Sequence, residues 1–271
     1  MPARGGAWPE GLARGAMGRA RLRPSGRAAV IRCADCMLRR RPLFHAMSGR
    51  EVATVGRMKR EHLDVAAGKD LIREGGNGQS LYTLFEGWAF RYHRLPDGSR
   101  QILDVLLPGD MVGMTSLLLG RSAHSVQALT AASFCVLDGN ALPALFKKNP
   151  DLAFALTRTW VADARRGDLR VTMLGRMSAA ERVGYFLIEI YDRLRQRGTA
   201  RSGVAPCPLR GVDVADAVGL SRVHVMRALK ELRGEGLLDR ERGNLIIPEF
   251  ARLAEFTGYT PASRAGKRAI I

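Results

Sequence analysis

Residues 219–232 read Gly-Leu-Ser-Arg-Val-His-Val-Met-Arg-Ala-Leu-Lys-Glu-Leu, and their types and spacing suit contact with a nucleic acid. Gly219 supplies the backbone freedom of a tight turn, and Ser221 is a good helix N-cap. Val225, Ala228, Leu229 and Leu232 recur at helical spacing and predict one buried stripe. Arg222, Val223 and Arg227 lie off that stripe near the helix start, where a recognition helix meets base edges in the major groove. Ser221, His224 and Lys230 complete the expected DNA-binding set, and Lys230 and Arg233 are expected to meet phosphates.

Cysteine offers a second chemistry. Cys33-Ala-Asp-Cys36 is a Cys-x-x-Cys pair beside Arg32, Arg39, Arg40 and Arg41. Such a field is expected to favour thiolate, which is both a better metal ligand and more oxidisable. Cys33, Cys36 and Cys135 are the candidate metal or redox residues. A redox pair and a zinc site with ligands elsewhere both stay open. Cys207 falls in the half of the chain that holds the helix-turn-helix.

Other chemistries are absent from the pattern. The five histidines, at 45, 62, 93, 124 and 224, form no His-x-His. A metalloenzyme built on a β-sandwich, the reading from another class, would need that spacing together with a carboxylate. Gly75-Gly76-Asn77-Gly78 lacks the Lys-Ser/Thr pair of a phosphate-binding loop. No catalytic activity is expected.

The elements that must position these residues follow from periodicity. Val212–Ala217 is expected as a short helix before the turn at Gly219. Leu237–Ile247 reads as strand, Gly243-Asn244 turn and strand, a β-wing. Turn signals recur about every ten residues from 67 to 110, separating runs such as Ser80–Phe85, Trp88–Leu95 and Gln101–Leu107. With Ser133–Leu137 these predict a sandwich or barrel of short strands. Residues 151–176 form one long helical candidate, with Leu152, Leu156, Trp160, Ala164, Val171 and Leu174 on its apolar face. Leu156 and Trp160 are expected to be buried across the two-fold axis of a dimer. Ser178-Ala-Ala-Glu181 is a capping box that opens a third helix ending at Arg197-Gly198.

The expected organisation is a disordered basic extension over 1–30, a β-sandwich sensor domain over 31–150, and dimerisation and linker helices over 151–198. A winged helix-turn-helix follows over 199–250, with 199–208 as its leading loop, and then a basic tail over 251–271. The chain has 271 residues and a formal net charge of +17, which suits a polyanionic partner. The charge is uneven. Residues 1–32 carry +6 and 251–271 carry +3, whereas 201–250 hold eight basic against seven acidic residues. The winged helix is therefore not a uniformly basic block, and its positive charge is placed on the recognition helix at Arg222, Arg227, Lys230 and Arg233. No run approaches the roughly 18 apolar residues of a membrane span, and the N-terminus lacks the apolar core of a signal peptide. A cytoplasmic protein without a membrane partner is expected.

A β-sandwich, a long helix and a winged helix-turn-helix in that order, an α+β chain, resemble the Crp–Fnr superfamily of bacterial transcription regulators. The resemblance covers about 33–250. It rests on Gly-Leu-Ser-Arg-x-x-x-x-Arg at 219–227, Pro-Gly-Asp-Met-Val-Gly at 108–113 and Gly-Arg-Ser-Ala at 120–123. Cys33-Ala-Asp-Cys36 before Pro42-Leu43-Phe44 points toward the Fnr-like branch. The resemblance implies a cyclic-nucleotide-binding-like jelly roll that senses a signal. It also implies a homodimer reading a palindromic operator in double-stranded DNA, with RNA polymerase as a further partner. Arg222, Val223 and Arg227 become the base-reading positions. The family often has Glu where this chain has Val223, and valine meets a thymine methyl rather than a cytosine amino group.

Two signals follow from the resemblance. Cyclic AMP would use Gly113, Arg121 and Ser122 as the effector pocket, and a cyclic-nucleotide-responsive regulator is the runner-up. Met114 stands where those regulators hold ribose with Glu, and a thioether does not replace that carboxylate. An iron–sulfur cluster would use Cys33, Cys36 and Cys135. The third N-terminal thiolate is missing near Arg41-Pro42, leaving His45 as a candidate fourth ligand. A redox- or oxygen-responsive regulator is the reading these residues favour.

Overall fold

Alternation of apolar residues along short segments builds the first half of the molecule. The computed structural model describes residues 31–41, 43, 44 and 47–261. The extension over 1–30, His45 and the tail from 262 lie outside the described residues. Two 3-10 turns, Cys33–Asp35 and Met37–Arg40, precede α1 (Gly49–Met58), which opens on a Ser48/Glu51 capping box. Strands β1 (Lys59–Val65), β2 (Asp70–Ile72), β3 (Ser80–Glu86), β4 (Ala89–Arg94), β5 (Arg100–Leu106) and β6 (Met111–Val112) follow. The short helix α2 (Met114–Leu119), which periodicity did not reveal, interrupts them before β7 (Ser125–Ala128) and β8 (Ala132–Asp138). They pair as two antiparallel four-stranded sheets, ordered β1-β8-β3-β6 and β2-β7-β4-β5. Val65, Leu84 and Phe134 from one sheet and Ala89, Leu106 and Val126 from the other close a common core. This is the expected jelly roll.

Helix α3 (Leu142–Lys148) leads into α4 (Pro150–Arg176), the long helix expected at 151–176. The apolar face expected on α4 divides in two. Leu152 and Leu156 are fully buried in a cluster with Val55, Met58, Leu81, Leu142 and Leu145, and Trp160 packs against it. Leu156 is thus spent within the protomer and is not on a dimer face, and Trp160 is half-buried against the same cluster. The same inner face continues through Thr159 and Arg170, both buried. Ala164 and Val171 point the other way, into solvent, with Phe154 and Val161. The misassignment arose because both stripes repeat at helical spacing, and only packing separates them.

The chain divides into two compact units, which among the described residues are 31–171 and 172–261. In the second, α5 (Ala179–Gln196) starts at the expected Ser178/Glu181 capping box. Strand β9 (Val204–Pro206) falls in the segment expected as a loop, because it adds a third strand to the wing. Helices α6 (Gly211–Val218) and α7 (Arg222–Gly234) are followed by β10 (Asp239–Glu241) and β11 (Asn244–Ile246). The sheet order is β10-β11-β9. The wing turn is Arg242-Gly243 rather than Gly243-Asn244. Both residues have positive φ, 49° and 79°, the pattern of a two-residue type I′ hairpin. Helix α8 (Phe250–Thr257) occupies residues expected as tail, since Leu253 is wholly buried and Tyr259 donates to Asp192 of α5 at 3.1 Å.

Candidate nucleic-acid interface and sensing site

Helices α6 and α7 form the helix-turn-helix by the local signals in the sequence. Gly219 ends α6 at φ 63°, in the left-handed region where a side chain is strained. Val214 and Val218 of α6 and Val225 and Leu232 of α7 are fully buried, which locks the two helices together. The Ser221 side chain accepts from the His224 N–H at 3.3 Å and contacts His224 Nδ1 at 2.8 Å. Ser221 therefore serves the helix cap first. Arg222, Val223, His224, Arg227 and Lys230 all stand on the exposed face of α7. Met226, not singled out in the sequence, joins them with 60% of its surface exposed, beside Val223 at 59%. Two large apolar side chains on a wet helix face cost solvation unless something covers them. Arg233, expected at phosphate, donates from two guanidinium nitrogens to one carboxylate oxygen of Asp239 at the start of the wing.

In the sandwich, the structure brings together the three cysteines that the sequence separates by a hundred residues. Cys33, Cys36 and Cys135 line one cavity of about 20 Å³ with Leu38, Arg39, Lys59, Thr83 and Leu137. Cys135 is on β8, and its Sγ lies 3.4 Å from His62 Nε2 on the paired strand β1. Burial pushes the Cys135 thiol up to about 11. Burial, helped by the Lys59 ammonium, holds His62 down at about 4, so its imidazole is neutral. Arg39 was legible as a basic neighbour of the Cys-x-x-Cys pair, whereas His62 and Lys59 carried no sequence signal, because the β1–β8 register and the docking of the 3-10 turns place them here.

An Fnr-type four-iron cluster does not fit these residues. Such clusters are held by four cysteine thiolates, and three thiols converge here. The space between them holds roughly one water, with Arg39 and Lys59 in its wall. Among the described residues, no group of three or more His, Cys, Asp or Glu side chains is arranged to hold a metal ion.

The candidate effector residues bracket α2. Gly113 is its N-cap at φ 104°, where a Cβ would stand 2.5 Å from the Ser80 carbonyl oxygen. Glycine is thus required by the approach of β3. Ser122 is buried and donates to its own chain at the His124 carbonyl, 2.7 Å away, while Arg121 is exposed. Below them lies a buried charge cluster that the sequence did not announce. Asp104 on β5 receives Arg91 of β4 at 3.1 Å and two arginines of α4, Arg170 at 3.0 Å and Arg166 at 3.5 Å. Arg166 also pairs with Asp163 at 2.7 Å. The i, i+4 spacing of Arg166 and Arg170 on the Leu152–Leu156 face was the available signal. His124 lies beside this cluster and is held down at about 4 by burial and then by Arg91.

Comparison with known proteins agrees with this geometry. Residues 62–149 match the cyclic nucleotide-binding domain, and residues 181–256 match the Crp-like helix-turn-helix domain. The nitrogen fixation regulation protein FixK of Bradyrhizobium diazoefficiens is 28% identical over 82% of this chain and 92% of its own length. The transcriptional activator protein FnrL of Cereibacter sphaeroides is 28% identical over 84% of this chain and 92% of its own. The fumarate and nitrate reduction regulatory protein of Escherichia coli is 24% identical over 85% and 92%. The solved structure of FixK2 from Bradyrhizobium japonicum superposes with a TM-score of 0.64 at 26% identity, over 73% of this chain and 96% of that one. Jelly roll, long helix and winged helix-turn-helix thus occur here in the order shared by these regulators, and the chain belongs to the Crp–Fnr superfamily of DNA-binding transcription regulators.

Proposed function

We propose that this regulator is a homodimer that reads a palindromic operator and responds to a redox signal through Cys33, Cys36 and Cys135. The exposed face of α7 carries the reading. Arg222 and Arg227 suit guanine edges, and Val223 suits a thymine methyl. Lys230 lies further along the helix, toward the phosphates, and His224 stands beside the cap. The functional parts are a sensor over 31–150, dimerisation and linker helices over 151–198, and a DNA-binding part over 199–250.

Helix α4 supports the dimer. Phe154, Thr157, Val161, Ala164, Asp168, Val171 and Gly175 follow a heptad a/d pattern, and every one is exposed in the single chain. Phe154, Val161 and Val171 are each more than 60% exposed. A second copy of the same stripe covers them by two-fold symmetry, and such symmetry matches a palindrome.

The redox part is supported by the convergence of the three cysteines and by relatives named as anaerobic or fumarate and nitrate reduction regulators. The reading gives Gly113, Arg121 and Ser122 no cyclic nucleotide, because the Ser122 hydroxyl is bonded to backbone and Met114 offers no carboxylate. The partners are operator DNA and RNA polymerase, in the bacterial cytoplasm. Among the described residues no helix is long and apolar enough to cross a membrane. A mobility-shift assay at roughly 150 mM salt tests the DNA reading, because specific contacts survive salt that strips phosphate-only binding. Retention of a genomic palindrome over random DNA is expected. No preference in either redox state sinks the proposal.

A further inference from the structure

The redox reading leaves open which sulfurs react. We propose that Cys33 and Cys36 form a dithiol that hydroperoxides oxidise to an intramolecular disulfide, and that this bond resets the seating of α4. The inference rests on the redox reading and gives it a chemistry that needs no metal.

Local geometry comes first. Cys33 opens a 3-10 turn, and the Cys36 N–H donates to the Cys33 carbonyl at 3.4 Å. In a 3-10 turn, residues i and i+3 eclipse and stand about 6 Å apart along the axis. A disulfide needs Cα atoms at about 4.4–6.8 Å. Both cysteines are half-buried and face the shared cavity, whereas Ala34 and Asp35 between them are exposed. Closure therefore needs side-chain rotation and little backbone movement. Cys135 is the third thiol at the cavity, but it is bonded to His62 and pushed up to about 11 by burial. It stays a thiol.

The chemistry balances. A thiolate of the pair attacks the peroxide, forming S–O as O–O breaks and releasing water or an alcohol. The second thiol attacks the resulting sulfenic acid, forming S–S as S–O breaks, and water leaves. Two electrons pass from the two sulfurs to the peroxide, and a dithiol reductant reverses the step.

Packing supplies the transmission. Cys33 packs against the cluster that holds Leu152 and Leu156, the residues that seat α4. Its Cβ also lies against α1 at Gly56, where an added Cβ would be 3.9 Å away. Cys36 packs with Leu38 and Phe44, whose ring lies over Gly109 in the turn before β6. A new bond between the cysteines thus acts on both packing clusters of this segment.

The experiment treats the full-length reduced protein with hydrogen peroxide and follows peptide masses and operator affinity together. The expected product is one disulfide linking Cys33 and Cys36, two hydrogens lighter, reversed by dithiothreitol. Operator affinity should change by roughly 5- to 100-fold, the usual size of coupling between sites. Cys33→Ser and Cys36→Ser should abolish the response while keeping the far-UV spectrum. A disulfide through Cys135 or Cys207, or a stoichiometric metal that shields the thiols, overturns the proposal. If DNA binding still responds to oxidant in Cys33→Ser, the redox reading stands and the dithiol fails. If the disulfide forms with operator affinity unchanged, the redox reading itself fails.

Discussion

Helix α7 carries Arg222, Arg227 and Lys230 into solvent, whereas α4 carries Arg166 and Arg170 into the sandwich, where Asp104 receives both. The residue types are the same and the physics is opposite. An exposed guanidinium keeps its hydration until a phosphate or base edge replaces it, so its cost to folding is small. A buried one has lost its water and depends on its carboxylate, so its partner must come from the same chain. Three arginines sharing Asp104 at 4% exposure make that carboxylate a structural anion. Helix α7 keeps Arg222, Arg227 and Lys230 available to a partner, and α4 has spent Arg166 and Arg170 on Asp104.

The largest effect should therefore come from the sensor. Asp104→Ala removes the carboxylate shared by Arg91, Arg166 and Arg170 and should lower stability by about 3–5 kcal/mol in denaturant unfolding. A loss under about 0.5 kcal/mol, as for a surface site, would erase the contrast. Helix α4 offers a contrast on its own two faces. Leu156→Ala, in the packed cluster, should cost about 2–5 kcal/mol of stability. Val161→Glu, on the exposed stripe, should leave the fold intact and shift sedimentation from dimer to monomer. A stable dimer in Val161→Glu breaks the assignment of that stripe.

Protonation gives a third comparison. His124 sits at about 4 when folded against 6.5 for the free side chain. The unfolded chain thus binds more protons between these values. The stabilisation is complete above about pH 6.5 and is lost as pH falls toward 4, by roughly 1–3 kcal/mol. The groups facing His124 are Arg91, His93, Glu74 and Asp104. Unfolding midpoints of wild type and His124→Gln across pH 4–7 should differ in slope, and parallel curves would refute the assignment. The smallest effects on folding belong to the DNA half. Arg222→Ala and Arg227→Ala should leave stability within about 0.5 kcal/mol. Each should remove roughly 1–3 kcal/mol of operator discrimination. Lys230→Ala should weaken operator and random DNA alike, so a selective loss there would move it among the base readers.

Legibility followed the range of the interactions. The turn at Gly219, the Ser221 cap and the Ser178/Glu181 capping box involve residues within four positions, so they could be read directly. The strands of the jelly roll were legible because alternation and turn residues are local. Strand β9 was missed because three residues, Val204–Pro206, carry too little alternation to declare a strand without their partner β11. Leu156 reads as a dimer residue from spacing alone, because spacing reports that a face is apolar and not what covers it.

By itself, the sequence determined the order of the parts and the recognition helix, since caps, turns and apolar periods are near-neighbour effects. It also determined the presence of a Cys-x-x-Cys pair. Only the tertiary structure decided that Cys135 faces that pair and meets His62, because the meeting depends on the β1–β8 register and on how the 3-10 turns dock. Only the tertiary structure decided that Asp104 is shared by three arginines, one from a neighbouring strand and two from a helix. The contacts of Cys135 with His62 and of Asp104 with Arg166 and Arg170 join residues more than sixty positions apart, and their energies depend on burial, which no local pattern encodes.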